Sequence, residues 1–261
     1  MNVLLLNPPF VSQFIRSSRW AAVSVSGSSW YPIYLAYCAG LLEKYNHCVK
    51  LIDGDVVGLS SEDILHEAKV FNPDICVIYI SDKSLSNDIN IAEKIKESTG
   101  CFIVLVGPWC SCDYMNIIGG SNKIDSIAVG EFDYTILELA EEKNKNSING
   151  LVWKEKNKIY INAPRSPLSS EQIDEFPFVT DVYRRHLDIS KYFQAPHLFP
   201  FIDLFTGRGC SWGKCSFCLW PHTINKGTGY RIGNLDRTIE ELFYIKEKMP
   251  YVKEIFIQDD T

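Results

Sequence analysis

Three cysteines lie within nine residues near the C-terminal end of the chain, at Cys210, Cys215 and Cys218. They follow a tight turn, Gly207-Arg208-Gly209, that comes after an apolar run predicted to form a strand. Thiolates this close together on one loop can converge on one metal centre. Three thiolates are too few for a closed tetrahedral site, but they suit an iron–sulfur cluster in which one iron stays open to substrate. We call residues 210–218 the cysteine loop.

The spacing alone leaves two other interpretations of the cysteine loop open. His222 lies four residues after Cys218, so the three cysteines and His222 form a Cys3His set that a structural zinc ion would accept. The thiols could also be unrelated, although their clustering on a loop that opens with glycines makes this the least favoured interpretation. In the zinc case, the chain would be a non-catalytic binding module rather than an enzyme.

The composition is that of a folded protein with a substantial core. Hydrophobic residues make up 46% of the 261 residues, and the formal net charge of −6 argues against nucleic-acid binding. No run of 18 apolar residues and no signal-peptide pattern occur, so we expect no membrane partner. Nine cysteines without a regular framework favour a reducing cytoplasm, and Cys38, Cys76 and Cys101 lie in apolar segments typical of buried thiols.

Before the cysteine loop, short apolar runs alternate with helical patterns. The predicted strands are Val3–Leu6, Val49–Ile52, Ile75–Ile80, Phe102–Val106 and Ser126–Val129. The predicted helices are Pro32–Tyr45, Ser61–Val70, Ser86–Glu97 and Glu131–Glu142. Near-continuous Val, Ile and Leu runs are typical of parallel strands covered on both faces. Five βα units in succession therefore predict an α/β fold, with a doubly wound, five-stranded parallel sheet over residues 1–147.

Two different patterns follow this domain. Residues 148–198 combine a predicted β-hairpin, with a polar, Asn-containing turn at Lys154–Lys158, and a proline-bearing linker over 164–177. Residues 199–261 begin a second α/β unit, in which strands Phe201–Phe205 and Glu254–Gln258 flank helix Asp236–Lys248. Two parallel strands alone cannot bury both faces. We therefore expect this unit to be a fragment, or to be completed by something beyond this sequence.

The cysteine loop and its surroundings resemble a known enzyme family. Gly207-Arg-Gly-Cys210, followed by Cys215-Ser-Phe-Cys218-Leu-Trp-Pro, is similar to the cluster loop of radical S-adenosylmethionine enzymes, and Tyr230-Arg231 is similar to the start of their barrel. With a doubly wound domain upstream, the chain resembles cobalamin-binding radical S-adenosylmethionine proteins, in the branch of the anaerobic magnesium-protoporphyrin monomethyl ester cyclase and the hopanoid-modifying enzymes. Four residues, rather than the family's usual three, separate the first two cysteines, and Gly213 can absorb the extra one by adopting positive φ.

The resemblance implies the chemistry and most of the cofactors. Cys210, Cys215 and Cys218 would hold three irons of a [4Fe-4S] cluster, and the fourth iron would bind S-adenosylmethionine. Reductive cleavage would yield methionine and a 5′-deoxyadenosyl radical, for methyl transfer, cyclisation or rearrangement on a small-molecule or peptide substrate. Phe217 would pack beside the adenine, and Asp259 and Asp260 would contact the methionine ammonium group. The electron donor would be a protein such as flavodoxin or ferredoxin.

The resemblance also implies cobalamin contacts at the carboxyl ends of the strands, where open α/β sheets bind ligands. These are Ser81 after the third strand, Gly107 and Pro108 after the fourth, and Gly130 and Glu131 after the fifth. Cys110 and Cys112 are expected on a loop facing the same crevice. Without an Asp-x-His-x-x-Gly motif, we predict no histidine ligand to cobalt. A flavin-type or purely structural domain stays the alternative, although G-x-G-x-x-G does not follow the first strand.

Overall fold

The computed structural model describes residues 1–16, 21–156, 158–226 and 229–260 of the chain. Asn157, in the predicted hairpin turn, lies outside the described residues. The strands are β1 Asn2–Asn7, β2 Phe14–Ile15, β3 Ala22–Val23, β4 Cys48–Asp53, β5 Ile75–Tyr79, β6 Phe102–Val106, β7 Ser126–Ala128, β8 Leu151–Glu155, β9 Lys158–Ile161, β10 Phe201–Leu204, β11 Gly207–Arg208, β12 Arg231–Ile232 and β13 Glu254–Ile257. The helices are α1 Ile33–Lys44, α2 Gly54–Val57, α3 Ser61–Phe71, α4 Leu85–Thr99, α5 Pro108–Gly119, α6 Asp133–Ala140, α7 Ser170–Asp174, α8 Val179–His186, α9 Leu219–His222 and α10 Leu235–Lys248. No helix among these residues is long and apolar enough to cross a membrane.

Five parallel strands form the main sheet in the order β4-β1-β5-β6-β7, which confirms the predicted parallel sheet. The hairpin β8-β9 does not stand apart from it. Trp153 of β8 pairs with Ser126 of β7 in antiparallel orientation, so the hairpin extends the sheet to seven strands. The domain bounds at residues 147 and 198 stay a prediction.

The alternation of side chains along β1 divides the core between the two faces of the sheet. Val3 and Leu5 pack on one face with α1, which is buried over ten consecutive residues. Leu4 and Leu6 pack on the other face, which α3, α4 and α5 cover. Because successive side chains of a strand point to opposite faces, a strand covered on both sides needs apolar residues at every position. The unbroken apolar run of β1 meets that requirement.

Local signals explain several helix ends. Ser60 caps α3 in a capping box with Asp63. Helix α10 begins at Leu235, one residue before the predicted start, and Asn234 caps it by accepting a hydrogen bond from the backbone N–H of Asp236 (2.8 Å). Helix α5 replaces a predicted loop and begins at Pro108, where the missing N–H of proline carries no penalty.

The segment 164–177 is not the linker that its prolines and polar residues predicted. It carries α7, which begins with a capping box formed by Ser169 and Gln172. Leu168, Ile173 and Phe176 of this segment are buried in the same core as α1. The segment therefore packs as part of the fold, and the polar residues between its apolar anchors obscured that pattern.

The second unit packs directly on the first. Strands β10 and β13 pair in parallel, and β11 pairs with β12 in antiparallel orientation. Tyr31, which precedes α1, stacks between Tyr183 and Tyr192 with ring centroids 4.5 Å and 4.0 Å away. Its hydroxyl donates to the carbonyl oxygen of Phe201 on β10 (2.8 Å). Buried tyrosine hydroxyls need acceptors, so this stack fixes β10 against the first domain.

Because of Asp203 on β10, we expect the free energy of unfolding of the chain to depend on pH. Its side chain is buried, and Tyr183 donates a hydrogen bond to it (2.9 Å). Burial raises the pKa of Asp203 from 3.8 to about 7, against the smaller lowering effect of the Tyr183 hydrogen bond. Between about pH 4 and pH 7 the folded state therefore keeps a proton that the unfolded state loses. The free energy of unfolding should fall with rising pH over this window, at a limiting slope of about 1.4 kcal/mol per pH unit for one carboxyl.

Urea unfolding at pH 5, 6, 7 and 8 checks this expectation. The Asp203→Asn variant cannot titrate, so its free energy of unfolding should depend less steeply on pH than that of the unchanged chain. Equal slopes in the two proteins would show that Asp203 is ionised in the fold across this range.

Candidate functional site

The three thiols of the cysteine loop line one cavity of about 170 Å³. Trp220 forms part of its apolar wall, and Asp260 contributes a carboxylate. Residues 210–218, all of which the structure describes, contain no helix or strand. Gly213 has φ +57°, the positive φ predicted for the extra residue of this loop. All three thiols are free and partly exposed, so the predicted ligands surround a common space.

The thiols are not gathered around a single point. No group of three or more His, Cys, Asp or Glu side chains within the described part of the chain could hold one metal ion. A zinc ion needs its four ligands about 2.0–2.3 Å from one centre, whereas an iron–sulfur cluster carries its thiolates on separate irons. The Nε2 atom of His222 lies 3.3 Å from the backbone oxygen of Cys215. Thiolates bind both zinc and iron–sulfur clusters, and thiolates that line a cavity without converging on one point match the separate irons of a cluster.

The two aspartates after β13 have different surroundings. Asp259 accepts hydrogen bonds from the backbone N–H of Thr206 (2.8 Å) and from the Tyr230 hydroxyl (2.7 Å). It therefore holds the segment that leads into the cysteine loop. Asp260 lines the cysteine cavity and accepts a hydrogen bond from Asn225 (3.1 Å). Of the two carboxylates predicted to meet an ammonium group, Asp260 is the one that faces the thiols.

A second cavity of about 170 Å³ opens beyond the carboxyl ends of β5 and β6. It lies beside the switch in strand order between β1 and β5, where open α/β sheets bind ligands. Ser81 and Pro108 line it, as the sequence predicts, together with Trp109. Its opposite wall is formed by Phe217 and Cys218 of the second unit. We call this cavity the strand-edge crevice.

Phe217 and Cys218 contribute to the walls of both cavities. The cysteine cavity and the strand-edge crevice are therefore neighbours that share one stretch of the cysteine loop. The side chain of Phe217 is 83% exposed. An aromatic ring offers a large apolar contact area, so Phe217 is placed to pack against a ligand in either cavity. Its contact with an adenine stays a prediction.

Three residues predicted to face the crevice serve other roles in the structure. Gly107 has φ +116°, and a Cβ there would lie 2.9 Å from the carbonyl oxygen of Ile80, so the backbone itself requires glycine. Gly130 faces the segment of the second unit that follows α9. Glu131 is buried and pairs with Arg231 (2.7 Å). None of the three is among the residues that line the strand-edge crevice, and their contact with cobalamin stays a prediction.

Cys110 and Cys112 do not share a crevice loop, because α5 stands where that loop was predicted. Cys110 is fully buried, and burial raises the pKa of its thiol well above the ordinary value. Cys112 is exposed on the helix. Neither belongs to the residues that line the crevice or the cysteine cavity.

His47 and His66, two histidines of the first domain, are not among the residues that line the crevice. His47 sits beside the amino group of Met1 (3.3 Å), at the opposite edge of the sheet from the carboxyl ends of the strands. His66 lies within α3. The absence of a histidine ligand to cobalt stays a prediction.

Sequence analysis missed Arg16, whose side chain lines the strand-edge crevice and is nearly fully buried. Its guanidinium donates to the carbonyl oxygen of Pro8 (2.7 Å) and to Ser84 and Asp88. Burial raises the pKa of Asp88, and the positive charge of Arg16 opposes that rise. A lone arginine in a long segment carries no signal in the sequence, because only the folded chain brings it to the strand ends.

Comparison with known proteins relates the first domain to cobalamin. Residues 19–140 match the family model of the B12 binding domain. The chain is 31% identical over 267 residues to an uncharacterised methyltransferase of Pyrococcus horikoshii, with all of this chain and 54% of that protein covered. It is 25% identical over 291 residues to cytidylyl-2-hydroxyethylphosphonate methyltransferase of Streptomyces wedmorensis, with 88% of this chain and 51% of that protein covered. The chain thus spans about half the length of these relatives.

Solved structures share the fold over almost the whole chain. TsrM of Kitasatospora setae, a radical S-adenosylmethionine methyltransferase solved with cobalamin and a [4Fe-4S] cluster, has a TM-score of 0.71 at 17% identity, covering 99% of this chain and 47% of its own. OxsB, a cobalamin-dependent S-adenosylmethionine radical enzyme solved with aqua-cobalamin and S-adenosylmethionine, has a TM-score of 0.70 at 17% identity, covering 99% and 34%. These matches confirm the predicted α/β fold class.

Proposed function

We infer that the chain is part of a cobalamin-binding radical S-adenosylmethionine protein, because its first domain matches the B12 binding domain and its fold matches two such enzymes. We propose that it is the cofactor-binding part of a methyltransferase that uses S-adenosylmethionine, a [4Fe-4S] cluster and cobalamin. Both curated relatives are methyltransferases by name, which favours methyl transfer over the radical cyclisation or rearrangement that the resemblance also implies. The chain spans about half of the length of these relatives, so the activity of the whole protein is proposed here as well.

One observation carries the proposal. The cavity lined by the three thiols adjoins the strand-edge crevice, and Phe217 and Cys218 belong to both. The crevice lies at the ligand-binding edge of a domain that matches the B12 binding family. This adjacency supports the proposal that the cluster and cobalamin bind next to each other in this chain.

The residues of the cysteine cavity fit a cluster and its substrate. Cys210, Cys215 and Cys218 would hold the cluster, and Asp260 would pair with the ammonium group of S-adenosylmethionine. Bound there, the cluster would supply the electron for cleavage of S-adenosylmethionine, and cobalamin in the crevice would carry the methyl group. Trp220 and Phe217 provide apolar surface that would exclude water from the reacting groups.

The residues of the crevice fit one edge of a large planar cofactor. Ser81 and Pro108 present small side chains at the ends of β5 and β6, and Trp109 adds an aromatic surface. The Ser81 hydroxyl shares a hydrogen bond with that of Ser84 (2.7 Å), so it has a fixed direction. The substrate, a small molecule or a peptide, and an electron donor such as flavodoxin or ferredoxin remain parts of the proposal.

Anaerobic reconstitution of the chain with iron and sulfide, followed by addition of hydroxocobalamin, tests the proposed function. We expect the chain to bind cobalamin with a change in the cobalamin absorbance spectrum. On reduction with S-adenosylmethionine present, we expect 5′-deoxyadenosine to be released. Failure to take up iron or to bind cobalamin would refute the proposal, and a chain that binds cobalamin without iron would be a non-catalytic cobalamin-binding module.

Phe217 should matter for ligand binding and not for stability. Because its side chain is 83% exposed, Phe217→Ala should change the free energy of unfolding by no more than about 0.5 kcal/mol. If its ring packs on the adenine, the variant should bind S-adenosylmethionine about tenfold more weakly, since aromatic contacts contribute roughly 0.5–1.5 kcal/mol beyond buried area. Isothermal titration calorimetry on the reconstituted, anaerobic protein measures this.

Phe243→Ala is the matched control for Phe217. Phe243 is 64% exposed on α10 and belongs to neither cavity lining. We expect this variant to bind S-adenosylmethionine like the unchanged chain. Equal affinities for the two variants would mean that Phe217 does not contact S-adenosylmethionine.

A further inference from the structure

Two arginines of the second unit pair with two carboxylates of the first domain. Arg208 lies on β11 and Arg231 on the facing strand β12, while Glu131 and Asp133 follow the end of β7. We call these four residues the arginine–carboxylate cluster. All four are buried or nearly so, with side-chain exposures of 4% for Arg208, 12% for Arg231, 1% for Glu131 and 2% for Asp133. The cluster forms a buried ionic junction between the two units.

The geometry of the junction is specific. Arg231 binds Glu131 through both ends of its guanidinium, with Nη1–Oε2 at 2.7 Å and Nη2–Oε1 at 2.9 Å. Arg208 donates to Asp133 at 2.8 Å and lies 3.9 Å from Glu131. Bidentate pairing of this kind fixes orientation as well as distance, which a lysine in the same place would not do.

Each side of the junction is attached to one of the proposed cofactor sites. Arg208 is two residues before Cys210, so its position sets where the cysteine loop begins. Arg231 follows Tyr230, whose hydroxyl binds Asp259 beside the cavity residue Asp260. On the other side, Glu131 lies in the turn at the carboxyl end of β7 and Asp133 begins α6, at the edge of the sheet where the crevice opens. The junction therefore links the cysteine loop to the cofactor edge of the first domain.

Aromatic rings surround Arg208, so water cannot easily take the place of its charged partners in the junction. The guanidinium carbon lies 5.2 Å from the ring centroid of Tyr37 and 5.0 Å from that of Phe176. Charges buried in this way interact strongly with each other. When one of them is lost, its partner is left buried without an opposite charge. A shift of the cysteine loop relative to the first domain would separate these charges, so the junction resists such a shift.

We propose that the arginine–carboxylate cluster couples the two cofactor sites, with Arg208 and Arg231 acting as positioning residues. This inference rests on the proposed function, because it requires that the chain bind both cofactors. Binding of the iron–sulfur cluster orders the cysteine loop, which has no helix or strand of its own. Through the junction, the ordered cysteine loop also restricts the turn after β7. Cobalamin binding then has a smaller conformational entropy cost, because less of the chain remains to be ordered. The coupling is reciprocal, as any equilibrium linkage between two sites must be.

Cobalamin affinity with and without the iron–sulfur cluster measures this coupling. Hydroxocobalamin is titrated by absorbance, under anaerobic conditions, into the chain before and after reconstitution with iron and sulfide. We expect the reconstituted chain to bind hydroxocobalamin at least about fivefold more tightly, the lower end of typical coupling between sites. In Arg231→Gln this ratio should fall to about one while each cofactor still binds, since Gln cannot pair with Glu131 as an ion.

Two further variants complete the test. Arg165→Gln removes an arginine of the segment 164–177 that pairs with Glu138 of the first domain, at side-chain exposures of 14% and 22%, and it should leave the ratio unchanged. If Arg231→Gln does not fold, Arg231→Lys takes its place, and the loss of bidentate geometry should lower the ratio partway. A ratio in the Arg231 variant equal to that of the unchanged chain overturns the coupling.

The remaining outcomes separate this inference from the proposed function. A ratio of about one in the unchanged chain, with both cofactors bound, overturns the coupling and leaves the proposed function standing. Failure of the unchanged chain to bind hydroxocobalamin, or to take up iron, refutes the proposed function and the coupling with it.

Discussion

Replacing Cys215 with alanine is expected to abolish iron binding by the reconstituted chain. Cys215 is the middle one of three thiols around the cysteine cavity, and among the residues that the structure describes no other thiol lines this cavity. A cluster held by two thiolates would lose a ligand to one of its irons, so we expect iron content to fall from about four per chain to near zero. Iron and sulfide analysis after anaerobic reconstitution and desalting measures this.

Cys112→Ala is the matched control for the Cys215 variant. Cys112 is also a free cysteine with an accessible side chain, but it lies on α5 and outside the cysteine cavity. We expect this variant to take up as much iron as the unchanged chain. Similar iron contents in the Cys112 and Cys215 variants would contradict the assignment of the ligands.

Gly209→Ala is expected to destabilise the fold and the cysteine loop together. Gly209 has φ +93°, and a Cβ at this position would overlap the carbonyl oxygen of Gly229. Backbone strain and overpacking each contribute about 1–3 kcal/mol, so the free energy of unfolding should fall by roughly 3 kcal/mol or more. Because Cys210 is the next residue, iron uptake should also fall. Urea unfolding of the metal-free protein, together with iron analysis, gives both values.

Gly100→Ala is the control for Gly209→Ala, because it separates backbone strain from steric overlap of the added Cβ. Gly100 ends α4 with φ +73°, and a Cβ there would meet no atom within 4 Å. Gly100→Ala should therefore lower the free energy of unfolding by only about 1–2 kcal/mol, the cost of a left-handed backbone for a residue with a side chain. Equal losses in the two variants would mean that the approach of Gly229 to Gly209 does not constrain the turn.

The parallel sheet could be predicted from the sequence because a strand buried on both faces is apolar at nearly every position. Strands β1, β5 and β6 are near-continuous runs of Val, Ile and Leu, a pattern that a surface helix does not show. The cysteine loop could be predicted because its chemistry depends on three residues that are close in the sequence. The positive φ of Gly213 followed from counting the residues between Cys210 and Cys215.

Features that depend on contacts between distant residues could not be predicted. The ion pair of Glu131 with Arg231, one hundred residues later in the chain, leaves no local pattern in the sequence. Helix α5 was hidden because Gly107 and Pro108 are typical of turns, although the same pair also begins a helix. For α5 the local pattern was compatible with two structures, and packing decided between them.

Electron paramagnetic resonance of the anaerobically reconstituted and reduced chain, with metal analysis of the same sample, tests the central claim most directly. The account predicts about four irons and four sulfides per chain, and a cluster spectrum that changes when S-adenosylmethionine is added, because one iron lacks a protein ligand. One zinc ion per chain without iron, or a cluster spectrum that S-adenosylmethionine leaves unchanged, would contradict it.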